Sequence, residues 1–270
     1  MNSVLVNEET ICYEVAGRGP AVVLVHGWTL NLRMWDPQVP SLSRRFQVIR
    51  YDRRGFGRSS GREDLSWDTA DLAALLDRLG VAKAHILGMS QGGGVALSFA
   101  RAFPDRAMSV ILHGSVPPSG FALRWSGPDR IPVREWQSRT KERGLEAFRR
   151  EWAEHPLMRV PEGRADVRAR LEDLLAEYRG EHLLDSVPRS GPIGPITMDD
   201  LPRLMLPALV VIGDAEVPYL QLVARMFAYY LPNAQLAIIR GGGHLINLIE
   251  PEQYNATILR FLETAIQGPP

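Results

Sequence analysis

A serine between two glycines, a histidine behind three more, and two carboxylates one residue apart are the side chains here that could do covalent chemistry together. The serine is Ser90, in Gly88-Met89-Ser90-Gln91-Gly92. It falls between an apolar run, Ala84-His85-Ile86-Leu87, and a small-residue segment opening at Gly93-Gly94-Val95-Ala96. In that strand-to-helix setting Gly-x-Ser-x-Gly is a nucleophile elbow, a strained turn that lifts the hydroxyl above the carboxyl end of a sheet. Side chains at 88 and 92 would collide where strand and helix close, and Gly93 and Gly94 extend the same logic. Alone, the pentapeptide also reads as a glycine-rich turn with an incidental serine, so the rest of the chain must decide. The histidine is His244, after Gly241-Gly242-Gly243, and the carboxylates are Asp214 and Glu216, just past Gly213. A hydroxyl is a poor nucleophile near neutral pH; an imidazole must take its proton, and a carboxylate must hold the imidazole's tautomer and stabilise its cation.

Those residues need a scaffold that brings strand ends together, and the chain alternates strand and helix signals as a mostly parallel sheet covered on both faces would. Val4–Val6 and Ile11–Val15 read as an opening hairpin. Ala21–Val25 is a continuous apolar run stopping at His26-Gly27-Trp28, and Gln47–Tyr51 is the next strand. Leu72, Leu75, Leu76 and Leu79 recur at helical spacing before Gly80, which predicts a helix from Asp68 to Leu79. Met108–Leu112, Ala208–Ile212 and Ala234–Ile239 are further strands, with helices at Tyr219–Tyr230 and from Pro251. Ser90, the two carboxylates and His244 each follow such a strand end, where open α/β sheets bind their ligands.

Between 116 and 200 the alternation breaks into amphipathic stretches: Leu145, Phe148 and Trp152 share one face, and Leu171, Leu174, Leu175 and Tyr178 another. The segment is expected to be a helical cap over the sheet's carboxyl edge, with 190–195 as its return hinge and 1–115 plus 201–270 as the core. An independent helical domain is the alternative.

The 270 residues carry 31 basic and 31 acidic side chains, so no net charge points to nucleic acid or an anionic membrane surface. The single cysteine, Cys12, allows no internal disulfide and reads as a small core residue. Met1–Thr10 lacks the basic start and apolar run of a signal peptide, and no apolar stretch is long enough to span a bilayer. A soluble, cytoplasmic protein, monomeric or homodimeric, is expected. Gly55-Phe56-Gly57 lacks the third glycine and the helix of a dinucleotide fingerprint. His85, His113, His155 and His182 have no ligand spacing, so neither cofactor nor metal is implied.

His26-Gly27-Trp28, Asp52-Arg53-Arg54-Gly55-Phe56-Gly57-Arg58-Ser59, the Ser90 pentapeptide, Gly213-x-x-Glu216 and Gly243-His244 appear in that order. In this the chain resembles proteins of the α/β-hydrolase fold, close to the arylesterase, cofactor-free haloperoxidase (perhydrolase) and enol-lactonase branch, over nearly its whole length outside the cap segment. The resemblance implies a mostly parallel sheet of about eight strands, with Ser90 as nucleophile, His244 as base and the backbone N–H groups of Trp28 and Gln91 as oxyanion hole. Relatives usually carry aspartate where Glu216 stands; the longer glutamate is expected to serve as the acid, with Asp214 as the alternative. His26, Asp52 and Arg54 are expected to anchor loops. The activity implied is hydrolysis of small to medium apolar or aryl carboxylic esters. Lactone, perhydrolase or carbon–carbon bond chemistry on the same triad are alternatives, and outside enzymes, a small-molecule receptor. Trp125, Trp136, Trp152, Phe121 and Met158 are candidate pocket walls.

Overall fold

The computed structural model describes residues 1–184 and 191–267; Ser190, the first residue of the expected hinge, lies outside them. Eight strands form one sheet in the order β1-β2-β4-β3-β5-β6-β7-β8. β1 (Asn2–Val6) and β2 (Glu9–Ala16) are antiparallel. Asn7 and Glu8 both take positive φ, as the tightest right-twisting hairpin turn requires. β2 also pairs antiparallel with β4 (Gln47–Tyr51), and all remaining pairs are parallel: β3 (Ala21–Val25), β5 (Ala84–Met89), β6 (Ala107–His113), β7 (Ala208–Gly213) and β8 (Ala234–Ile239). β3, β5 and β7 are buried at every position, which demands cover on both faces.

The cover comes from α1 (Val39–Leu42), α2 (Asp68–Arg78), α3 (Gln91–Ala102), α8 (Pro218–Tyr230) and α10 (Pro251–Gln267). Between β6 and β7 lie α4 (Val133–Arg143), α5 (Leu145–Ala153), α6 (Ala165–Ala176) and α7 (Glu181–Leu184); α9 (Ile246–Ile249) follows His244. A one-residue parallel bridge, Ser119 to Thr197, joins the chain's departure into this helical segment to its return. The apolar stripes expected there are buried except at one end: Phe148 and Trp152 on α5, Leu171, Leu174 and Leu175 on α6 and Tyr178 just past it are interior, while Leu145 is only half-buried. Cys12 departs from expectation. It is only half-buried, on β2 near the sheet's edge, with its Sγ 3.2 Å from the Arg58 carbonyl.

The loop leaving β4 is pinned from within. Asp52 accepts the backbone N–H groups of Leu32 at 2.8 Å and Arg58 at 2.9 Å, and Arg54 grips Asp71 through two 2.8 Å bonds. Arg53 turns inward instead, its side chain 1% exposed, and pairs with Asp68, 2% exposed, at 2.7 Å. Burial pushes the Asp68 carboxyl up, and the Arg53 guanidinium opposes it.

Two stability outcomes follow from this loop. Asp68→Asn strands the Arg53 charge in the interior, and urea titration should find a loss of about 3–5 kcal/mol; a loss within measurement error would remove the pair from the fold's supports. Burial pushes the Asp52 carboxyl up to about 6, against the two N–H groups that favour its charge. In the unfolded chain the group ionises near 3.8, so between that pH and about 6 the native state holds the extra proton. Stability then falls as pH rises through this window, by about 3 kcal/mol for two units. Urea midpoints from pH 4 to 7 should show this decline in the natural chain and a flatter profile in Asp52→Asn.

Candidate active site

Ser90 sits between β5 and α3 with φ 55° and ψ −116°, outside the regions open to ordinary L-residues. Its neighbours over-determine that conformation. The Ser90 N–H donates to the His113 carbonyl at 2.8 Å, and its own carbonyl accepts from Gly93 at 3.1 Å and Val116 at 3.3 Å. A Cβ on Gly88 would fall 2.0 Å from the Gly92 carbonyl oxygen, and one on Gly92 would fall 2.3 Å from that of Val25. Gly93 obeys the same restriction against Ser115, but Gly94 does not: its nearest neighbour would be a Val116 methyl at 4.0 Å. The strand–helix closure therefore needs three glycines, and the fourth faces open space.

His244, past the end of β8, donates from Nδ1 to the Glu216 carboxylate at 2.7 Å, with both side chains no more than 2% exposed. The other Glu216 oxygen accepts the Val217 N–H at 2.9 Å, so the carboxylate is aimed by backbone as well as by the imidazole. Asp214 turns away and is exposed, accepting the Gly241 N–H at 3.0 Å and tying the loop after β7 to the one after β8. Of the two carboxylates left open by spacing, the fold brings Glu216 to the histidine.

Ser90, His244, Trp28 and Gln91 line one cavity of about 50 Å³, otherwise walled mainly by Leu30, Val116, Ile131, Trp152, Leu157 and Met158. Gln91 is the first residue of α3, so its backbone N–H has no partner within the helix. Trp28 lies at the end of β3 under the helical segment, its ring centroid 5.3 Å from Trp152, 5.8 Å from Phe148 and 6.1 Å from Trp136. Of the candidate pocket walls, Trp152 and Met158 face this cavity. Trp136 packs behind Trp28, Trp125 stacks on Tyr219, and Phe121 borders a different surface depression.

The surrounding polar layer holds the loops in place. His26 donates from Nδ1 to the Gly27 carbonyl at 2.8 Å and accepts the Arg53 N–H at Nε2, 2.9 Å away, which fixes one neutral tautomer. Burial first, and then the nearby Arg53 cation, holds its pKa well below the usual histidine range. His26 is thus the loop anchor expected of it. Sequence reasoning missed Arg53 itself, whose guanidinium reaches the His26 carbonyl at 3.2 Å and the Gln91 side-chain oxygen at 3.4 Å. It also missed Thr29, which takes φ 64° despite its branched side chain. The Thr29 hydroxyl donates to the Trp28 carbonyl at 2.6 Å and accepts the Trp152 indole N–H at 2.7 Å. Among the described residues no cluster of histidine, cysteine or carboxylate side chains could hold a metal ion, and no helix is long and apolar enough to cross a membrane.

Residues 20–251 match the model of the alpha/beta hydrolase fold family. A protein provisionally named a non-heme chloroperoxidase from Synechocystis sp. is 31% identical over 94% of this chain and 95% of its own length. Among solved structures, a thermophilic esterase from Thermogutta terrifontis superposes with a TM-score of 0.80 at 27% identity, covering 95% of this chain and 94% of that one. The enol-lactonase from Burkholderia xenovorans LB400 superposes at 0.81, covering 97% and 100%; at 23% identity it speaks for the fold alone. With a family match across most of its length and the sheet order described above, the chain belongs to the α/β-hydrolase family.

Proposed function

We propose that the chain is a serine hydrolase that cleaves carboxylic esters through an acyl-enzyme, with Ser90 as nucleophile, His244 as general base and acid, and Glu216 as the carboxylate that orients it. The observation that carries this reading is the buried His244–Glu216 pair opening onto the same cavity as the strained Ser90. The Ser90 oxygen bonds to the ester carbonyl carbon as His244 takes its proton. The oxyanion lies against the backbone N–H groups of Gln91 and Trp28, each such donor being worth roughly a hundred- to a thousandfold in rate. The carbon–oxygen bond to the alcohol then breaks as His244 protonates the leaving oxygen. Water, deprotonated by the same imidazole, releases the acid and restores Ser90.

Residues 116–200 act as a cap in this reading, with Trp152, Leu157 and Met158 as its roof over Ser90. The cavity at the serine is small, about 50 Å³, where a single water needs roughly 10–15 Å³ of such space. Its apolar walls favour a short acyl group, and the esterase relative from Thermogutta supports the ester class.

Turnover of nitrophenyl acetate, propionate, butyrate and octanoate, with a panel of lactones, tests this. Short-chain esters should be cleaved, octanoate more slowly, and Ser90→Ala should lose on the order of a millionfold in kcat. Turnover of lactones but no ester would move the assignment to lactonase, and undiminished turnover by Ser90→Ala would end it. For the acid, Glu216→Gln should lower kcat about ten-thousandfold, the loss expected when an imidazole is left in the wrong tautomer. Asp214→Asn should retain most activity; the reverse ranking would give the role to Asp214.

A further inference from the structure

A second and larger space, of about 350 Å³, shares Trp28 and Gln91 with the first but is not lined by Ser90 or His244. The two cavities share Trp28, Gln91 and Ile131 in their walls, so they lie side by side. Part of the second is apolar, through Phe56, Leu65 and Val133, and its polar wall carries Arg53, Glu63, Asp64, Gln137 and His182.

The hydrogen-bonding capacity of that wall is lopsided. Its strongest donors are engaged: Arg53 on Asp68, the His26 carbonyl and Gln91; one N–H of the Gln137 amide on the His182 carbonyl at 3.0 Å; and His182 Nδ1 on Glu63 at 2.9 Å, with the Tyr178 hydroxyl also 3.0 Å from that nitrogen. Its acceptors are not. The Glu63 side chain is 8% exposed; its carboxylate neighbours the Tyr178 hydroxyl and meets His182 through Oε2, while Oε1 is buried without a hydrogen-bond partner. Buried carboxylate oxygens are costly to leave unpaired, and those that persist in native structures are most often found where something else completes them.

We propose that this compartment is a substrate subsite that receives the alcohol portion of the ester and binds a hydrogen-bond donor on it, a hydroxyl or an ammonium, through Glu63. The inference rests on the reading of Ser90 as nucleophile only for which half of the substrate enters. The small cavity at the serine takes the acyl group, and the larger one beside it takes the rest. Trp28 stands between them, its indole N–H donating to the Tyr178 hydroxyl at 3.1 Å, which in turn meets the His182 ring that Glu63 holds. A donor bound at Glu63 is thereby linked through three side chains to the residue whose backbone faces the reacting carbonyl.

The test uses three acetates of equal chain length, pentyl, 5-hydroxypentyl and 5-ammoniopentyl, assayed by acid release. The hydroxyl- or ammonium-bearing ester should exceed the pentyl ester by about tenfold or more in kcat/KM, chiefly through KM. Glu63→Gln should erase the preference for ammonium, bringing the ammonium-to-pentyl ratio of kcat/KM to about one whatever the variant's absolute rates. Preference for the ammonium ester alone would mark a cation site, and for both a general donor site. Equal kcat/KM for all three esters in the natural chain overturns the proposal whether or not the variant folds, as does a Glu63→Gln variant that slows all three alike. Calorimetric binding of pentylammonium and pentanol separates the two readings. If no acetate is cleaved, the hydrolase assignment fails, yet pentylammonium binding that weakens tenfold in Glu63→Gln still establishes the subsite, and binding indifferent to the substitution overturns it.

Discussion

Ser90 can keep a positive φ only because three strands and a helix meet on it, and the rest of the molecule is arranged around that meeting. The end of β6 takes its N–H, the start of α3 and the segment after β6 take its carbonyl, and β3 approaches Gly92 too closely for a methyl group. A residue in such a conformation costs of order 1–3 kcal/mol and persists where its surroundings leave no alternative. Because β3 is one of those surroundings, the loop carrying Trp28 is indexed to the same point as the hydroxyl. Hydroxyl and expected oxyanion donors therefore share one reference frame, set by backbone contacts.

Around that frame the structure places charge where water cannot reach. Arg53 and Asp68 are both interior, and an isolated charge there would be strongly disfavoured. Their pairing leaves the guanidinium edge free to hold the His26 carbonyl and the Gln91 side chain, so the loops before and after the nucleophile lean on one cation. Thr29 does the corresponding work upward, joining the Trp28 carbonyl to the Trp152 indole of the helical segment. The segment above and the sheet below are thus connected by directional bonds at the same loop.

The parts legible in the sequence are those that local pattern encodes. Uninterrupted apolar runs marked β3, β5 and β7, and helical spacing of leucines marked α2, because burial on two faces or one dictates those periods. The Ser90 elbow was readable because glycine is required on both sides of a close approach. What local pattern does not encode is which side chain meets which across the fold. In Asp52-Arg53-Arg54, nothing in the order distinguishes the arginine that turns inward to Asp68 from the one that grips Asp71. The position three residues after Gly213 favoured Glu216 over Asp214 by resemblance, but only the packing of the loops after β7 and β8 shows why, turning one to His244 and the other to the Gly241 N–H. Glu63 sat in a polar loop indistinguishable from solvated sequence, and its enclosure by α7 and the loop after β4 is wholly tertiary. Short helices such as α1 and α9 are too brief to show a period.

The strand order also bears on when these groups meet during synthesis. β1 to β6 are mutual neighbours in the sheet and precede the helical segment, whereas β7 and β8 add to one edge after it. Ser90 and Trp28 therefore leave the ribosome before the helical segment, and the strands that frame them can pair at once. Glu216 and His244 arrive at the ends of the last two strands to join. A growing chain carries its serine without this imidazole until β8 has been made, so the pair that would make the hydroxyl reactive is also a mark that the sheet is complete to that edge.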